Sequence, residues 1–331
     1  MKYKILGNTG VLVSELCFGT MTFGSEATED ESTRMFHMCR DAGINFFDCS
    51  NNYSNGQAEI ILGKLIRDCR DDVIITSKVS QRVGNDINAL GSSRRHIMLS
   101  IDQSLKRLNT DRIDIYFIHH FDPFTPMEET LRALDDLVKQ GKILYLGVSN
   151  WAAWQIAKAL GISAKQNLAR FECIEPMYNL LKRQAEVEIL PLAASENLGV
   201  IAYSPLAAGL LTGKYSSVDT SHGRIHEKKQ YNQRYNLPRY YEIAHALHHY
   251  ALEINVKTSL LALSWVMSHQ TITAPIVGAR NAIQLQETLE VINLALDDDI
   301  VTNITALSDR PANATDRLEE QLDSMFQLRN R

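Results

Sequence analysis

At 331 residues, with 45% hydrophobic and 22% charged residues, the chain is long enough to bury a sizeable core. A net charge of −5 and a pI near 6.1 argue against a nucleic-acid partner, which needs a basic face, and leave room only for local basic pockets. The N-terminus Met1-Lys2-Tyr3-Lys4 turns polar too soon for a signal peptide, no apolar run approaches the roughly twenty residues of a membrane span, and cysteines 17, 39, 49, 69 and 173 form no C-x-x-C pair, so the sequence predicts a cytoplasmic chain with no membrane partner, disulfide framework or zinc site.

In chain order, Tyr3 to Val13 reads as a hairpin turned by Asn8-Thr9-Gly10. Eight strand candidates follow: Leu16 to Thr20, Ile44 to Asp48, Val73 to Lys78, Ile113 to His119, Ile143 to Ser149, Phe171 to Glu175, Val200 to Ser204 and Thr271 to Val277. Several are apolar throughout, as strands covered on both faces tend to be. Amphipathic stretches lie between them. Asp30 to Ala42 stops at Gly43, Met127 to Gln140 at Gly141 and Gln184 to Leu198 at Gly199, each glycine supplying a left-handed residue at a helix end. Alternating strand and helix signals imply a parallel sheet, and eight units close into a (β/α)8 TIM barrel with the hairpin across its bottom, one domain over 1–331. An open doubly wound sheet is the alternative, disfavoured because no G-x-G-x-x-G follows the first strand. Leu211 to Pro238 resists the alternation: it is polar and turn-rich and holds Lys214, Tyr215, His222, Arg224, Tyr231 and Tyr235.

Four polar residues stand at or just past strand ends: Asp48, Tyr53, Lys78 and His119. If those strands are parallel neighbours, the four groups meet at the end of the sheet where such folds do chemistry. A phenol beside an ammonium steadied by a carboxylate is a tunable proton donor, and the ammonium is expected to draw the phenol's acidity toward the working pH. His120 is expected to point to the opposite side from His119 by strand alternation. Taken singly, each has a plainer reading. Asp48 suits a turn, Tyr53 packing, Lys78 a snorkelling strand end, and His119-His120 with Asp122 an incomplete metal cluster; no metal site is expected.

Phe47-Asp48-Cys49-Ser50-Asn51-Asn52-Tyr53, followed by Glu59-Ile60-Ile61-Leu62-Gly63, resembles the aldo-keto reductase signature. The resemblance continues through Leu16-Cys17-Phe18-Gly19-Thr20-Met21, Thr76-Ser77-Lys78, Ser104 to Leu108, Gly147-Val148-Ser149-Asn150, Ala202-Tyr203-Ser204-Pro205-Leu206 and Pro275 to Arg280. It implies NADP(H)-dependent reduction of an aldehyde or ketone, with Tyr53 delivering a proton, Lys78 tuning it, Asp48 pairing with Lys78 and His119 donating to the carbonyl oxygen. It also implies a cofactor set: Thr20, Met21 and Asp48; Ser149 and Asn150 at the carboxamide; Tyr203 stacked on the nicotinamide; Ser204, Leu206 and Lys214 along the pyrophosphate. Gly278 and Arg280 lead into a helix from Asn281 suited to a phosphate, Arg280 favouring a 2′-phosphate, with Gln284 and Glu287 on the adenine side. The segment after strand seven would cover the cofactor.

The chain departs from the family's pattern at Glu175, where Gln is common, and at Thr288 and His120, where Asn and often Arg stand. Glu175 places a carboxylate near the carboxamide, either ionised or protonated by desolvation. Met21, Phe23, Tyr53, Phe121 and Trp151 are expected to wall the substrate pocket. The rival readings are a non-catalytic NADP-binding regulatory subunit resembling channel-associated β-subunits, and a metal-dependent barrel hydrolase, which would need H-x-H at an early strand end. Neither the particular carbonyl substrate nor the oligomeric state is legible.

Overall fold

A computed structural model describes residues 1–215 and 223–316 and shows a closed eight-stranded barrel with helices around it. The strands are β1 (Tyr3–Ile5), β2 (Leu12–Ser14), β3 (Cys17–Gly19), β4 (Phe46–Asp48), β5 (Ile74–Val79), β6 (Ile113–Ile118), β7 (Ile143–Ser149), β8 (Phe171–Glu175), β9 (Gly199–Ala202) and β10 (Ala274–Val277). β3 to β10 pair in parallel, and β10 closes on β3 through Ile276 opposite Cys17 and Val277 opposite Phe18. β1 and β2 form the separate antiparallel hairpin, Tyr3 opposite Ser14. This is the expected (β/α)8 barrel; an open sheet is ruled out by the β10–β3 pairing.

Two apolar cores explain why the strands read as continuous runs. Inside the barrel, Cys17, Phe46, Ile115, Phe117, Cys173, Ile201 and Ala274 pack together with Leu6 and Val13 of the hairpin, which plugs the bottom. A second core lies between the outer strand faces and the helices and includes Phe18, Phe47, Ile75, Tyr116, Leu146 and Val200. With both faces buried, alternation between apolar and polar residues disappears. The filled lower interior leaves only the C-terminal strand ends free to carry polar chemistry.

The Glu59-x-x-Leu62-Gly63 run is explained by one helix crossing. Glu59 is fully buried on the helix Gln57–Ile66, accepting from Arg107 Nε at 2.6 Å and from Ser77 Oγ at 2.5 Å. A Cβ on Gly63 would stand 2.5 Å from the Leu108 carbonyl oxygen, so only glycine allows this approach to the helix Arg94–Leu108.

One of the three glycine-ended helices differs from expectation. Gly43 (φ 85°) and Gly141 (φ 72°) adopt the left-handed conformation, but Gly199 does not; Asn197 (φ 50°) serves there. Gly199 opens β9, and its missing side chain admits Leu6 of the hairpin plug. The stretch Gln184 to Leu198 is a 3₁₀ turn, Gln184–Glu186, and a short helix, Ile189–Ser195. Pro191 accounts for the break, since it lacks the N–H that would bond a turn back and is tolerated only in a helix's first turn. The segment from 211 to 238 also departs from a turn-rich loop: it includes the helices Arg224–Glu227 and Lys229–Tyr235, with Tyr215, Tyr231 and Tyr235 buried as anchors. His222 lies outside the described residues.

Candidate active site

Strand alternation delivers the site. Ser77 faces outward to Glu59, so its neighbours Thr76 and Lys78 face into the barrel. Phe117 and Cys173 point inward in β6 and β8, so His119 and Glu175, two residues on, point inward at the top. β4 ends in Asp48, and Tyr53 opens the 3₁₀ turn Tyr53–Gly56 just beyond.

Asp48, Tyr53 and Lys78 meet as expected, with His119 beside them. Lys78 is fully buried, and its ammonium donates to Asp48 Oδ1 at 2.5 Å, to the Cys49 carbonyl at 3.1 Å and to Tyr53 Oη at 3.3 Å. Thr76 Oγ1 adds a 2.6 Å bond to the same Asp48 oxygen. The rings of Tyr53 and His119 meet edge to face at 6.2 Å.

Glu175 is a fifth member that local sequence did not reveal as such. Its Oε2 stands 3.4 Å from Lys78 Nζ as an ion pair, yet has no hydrogen-bond partner. An ammonium has three protons, and here all three are used elsewhere. Glu175 thus faces the ammonium of β5 from β8, a proximity that only barrel closure creates.

The electrostatics depart from expectation at Tyr53. Burial pushes its hydroxyl well above the usual phenol range; Lys78 opposes that shift without overcoming it. Tyr53 therefore holds its proton at neutral pH, and Lys78's contribution is to limit the rise. Burial works to lower Lys78 itself, but Asp48 and Glu175 outweigh it and hold the ammonium well above its ordinary value. Burial, Lys78 and His120 press His119 well below the ordinary imidazole range, so it is neutral. Burial lifts Glu175 to about 8, against the pull of Lys78.

A carboxyl whose folded pKa is raised stabilises the fold fully below its unfolded value, near 4.5, and loses that contribution as pH rises through about 8. Glu175→Gln removes the titration. Its unfolding free energy, followed by urea melts across this window, is expected to fall less with rising pH than that of the wild type. Parallel pH curves would show that Glu175 does not titrate there.

His120 does not point away from His119. The rings stack at 5.1 Å and 14°, because the backbone pairing with β5 continues to His119, whose N–H donates to the Val79 carbonyl, but is lost at His120, whose N–H donates to the Ser80 hydroxyl instead. Phe23 is not a pocket wall: it is fully buried against Phe18. Met21 is exposed, Phe121 is half-buried, and Trp151 is buried between Phe121 and Phe171.

The other predicted positions line the rim from β3 round to β10. Thr20 donates to the Asp48 carbonyl at 2.9 Å, so its hydroxyl is spent tying β3 to β4. Ser149 donates to the Glu175 carbonyl at 3.0 Å; Asn150 (φ 60°) donates to the His119 carbonyl and accepts from Tyr203 Oη at 2.7 Å. Past Tyr203, Ser204, Ala207, Ala208 and Gly209 all take positive φ. Left-handed non-glycine residues persist where surroundings enforce them, often at functional sites, and the alanines gave no sequence signal of this. Leu206 is half-buried in this loop and Lys214 is exposed at its end.

Beyond β10, Arg280 lies 3.7 Å from both Glu26 and Glu227, and Glu26 also pairs with Arg224 at 2.5 Å. Gly278 is open, with only the Gly19 carbonyl oxygen near a would-be Cβ, at 3.5 Å. The helix Ala282–Leu289 departs from expectation in being capped from within: Asn281 accepts from Gln284 N, and Glu31 accepts from Ala282 N. Gln284 Oε1 accepts from Arg280 N at 3.1 Å, and Glu287 is exposed. Side-chain cations, more than free amides, are what this corner offers an anion.

The parallel barrel thus gathers the buried Asp48–Lys78 pair, the half-buried Tyr53 and the buried His119 at its C-terminal mouth. The sequence matches the aldo/keto reductase family over residues 15–309, and the chain belongs to that family. It is 34% identical to an uncharacterized oxidoreductase of Bacillus subtilis (strain 168), over 95% of this chain and 98% of that protein. It is 35% identical to a probable voltage-gated potassium channel subunit beta of Oryza sativa subsp. japonica, over 93% and 96%. It is 32% identical to the L-glyceraldehyde 3-phosphate reductase of Escherichia coli O157:H7, over 88% of each. Among the described residues no helix is long and apolar enough to cross a membrane.

Proposed function

We propose that this chain is a cytoplasmic NADPH-dependent reductase of aldehydes or ketones, with Tyr53 as proton donor. The observation that carries the reading is the Tyr53 hydroxyl set 3.3 Å from a fully buried ammonium that is itself anchored on Asp48 at 2.5 Å. Because Lys78 donates to Tyr53 Oη, the phenolic proton is free to be given to a substrate oxygen. As that proton leaves, the ammonium stabilises the phenolate left behind. A neutral His119 assists as a hydrogen-bond donor to the same oxygen.

The mouth suits a nicotinamide dinucleotide, which when bound supplies the hydride. Tyr203 offers a half-exposed aromatic face beside Asn150, and partial desolvation of its ammonium, followed by the nearby Arg280 and Arg224, lowers Lys214 from its ordinary value. Ser149, Asn150, Tyr203, Ser204, Leu206, Lys214, Gly278, Arg280, Gln284 and Glu287 would hold it, with Thr20, Met21 and Glu175 at the nicotinamide end. Arg280→Ala is expected to weaken NADPH binding far more than NADH binding, by the roughly 1.5 to 3 kcal/mol of a charge-assisted hydrogen bond. Calorimetric titration with both nucleotides checks this; equal weakening would remove Arg280 from 2′-phosphate recognition.

Likeness to the rice protein favours a second reading, a non-catalytic NADP-binding regulatory subunit. Single-turnover mixing of protein loaded with one equivalent of NADPH against a panel of small, aromatic and sugar carbonyls separates the two. The reductase reading expects prompt oxidation with at least one class, and retained NADPH with every class sinks it.

A further inference from the structure

Four hydrogen bonds and one ring stack join His119 to His120 in a closed polar circuit. His119 Nδ1 is 3.3 Å from Ser50 Oγ; Ser50 Oγ donates to Asn52 Oδ1 at 2.6 Å; Asn52 Nδ2 donates to Gln81 Oε1 at 2.5 Å. Gln81 Nε2 is 2.6 Å from His120 Nε2, and the two imidazoles stack. Ser50 is fully buried, while His120 is exposed at the mouth.

The donor inventory allows only two complete settings of this circuit. In the first, Ser50 spends its single proton on Asn52, so its oxygen must receive His119 Nδ1–H. Gln81, its oxygen occupied by Asn52, must then donate to a bare His120 Nε2. His119 Nε2, which has no partner among the described residues, is left without a proton. In the second setting both amides are turned over. His120 Nε2–H donates to Gln81, Gln81 to Asn52, Asn52 to Ser50, and Ser50 to a bare His119 Nδ1. His119 then carries its proton on Nε2. A protonated His120 has N–H on both nitrogens and cannot accept, so it is compatible only with the second setting.

We propose that His120 is a positioning residue whose protonation, passed through Gln81, Asn52 and Ser50, sets His119 in the Nε2–H form able to donate to a substrate oxygen. This rests on the reductase reading of His119. Protons balance through solvent at the mouth: His120 gains one, while His119 gives up its Nδ1 proton and takes one at Nε2, keeping its charge. The charged and titratable groups facing the pair are Arg234, from the helix Lys229–Tyr235, toward His120, and Lys78 and Tyr53 beside His119. Burial and Arg234 lower His120 from its ordinary value, and His119 is held lower still, so His120 is the member that titrates first on acidification.

The test is nitrogen NMR of the full chain with labelled histidine, titrated downward in pH. In the wild type His119 is expected to change to the Nε2–H tautomer as His120 becomes cationic, and carbonyl turnover to rise along the same curve. Gln81→Leu should leave His120 titrating but His119 unresponsive. Gln81→Glu serves if that variant fails to fold: its carboxylate accepts from both His120 and Asn52, which keeps Ser50 donating to Asn52 and holds His119 as Nδ1–H even beside a cationic His120. A His119 tautomer unchanged through the wild-type titration, or one that still follows His120 in either variant, overturns the proposal. Absence of carbonyl turnover with the tautomer change intact would instead defeat the reductase reading alone.

Discussion

Tyr53→Phe is expected to lower kcat for carbonyl reduction by roughly 10²- to 10⁴-fold, the range of a lost general acid, with NADPH affinity nearly unchanged. The ring and its edge-to-face contact with His119 are kept; only the hydroxyl that Lys78 touches is removed. Steady-state rates and a nucleotide titration on the same sample separate the two effects. A variant reducing carbonyls at near wild-type rate would show that the proton comes from elsewhere.

Lys78→Met is expected to damage both activity and stability. Removing the ammonium leaves the Asp48 and Glu175 carboxyls in a buried site with no cation between them. Truncating one partner of a buried charge network costs about 3–5 kcal/mol, part of which is relieved if Glu175, already raised by burial, takes up a proton. Relief requires acid, so the variant's stability deficit should be largest at high pH and shrink as pH falls. Urea denaturation at several pH values reads this directly. An unfolding midpoint equal to wild type at pH 8 would mean that the ammonium does not neutralise the pair.

How much of this was legible in sequence depended on whether the relevant contact was local. β7 and β8 have the predicted bounds because Phe171 to Glu175 and the Leu146 to Ser149 half of β7 are buried nearly throughout, and turn residues bracket both runs. Asp48, Tyr53, Lys78 and His119 were legible because each sits at a strand end, and a parallel barrel turns strand ends into neighbours. Gly199 was misread because its reason is Leu6, nearly two hundred residues away in the hairpin plug. His120 was misread because alternation holds only while a ladder persists, and the pairing with β5 is lost at that residue. Tyr53's acidity ran the other way because desolvation outweighs a single neighbouring charge. Glu175 faces Lys78 across the barrel, a pairing no spacing along the chain contains.

The most direct measurement is the fate of deuterium placed on the transferable position of the reduced nicotinamide. After turnover with a carbonyl in ordinary water, mass spectrometry of the alcohol should find one deuterium on the former carbonyl carbon. The same reaction with unlabelled cofactor in heavy water should place none on that carbon, since Tyr53 delivers solvent-derived protons only to oxygen. An alcohol whose carbinol hydrogen comes from solvent, or no alcohol from any carbonyl tested, would contradict the account.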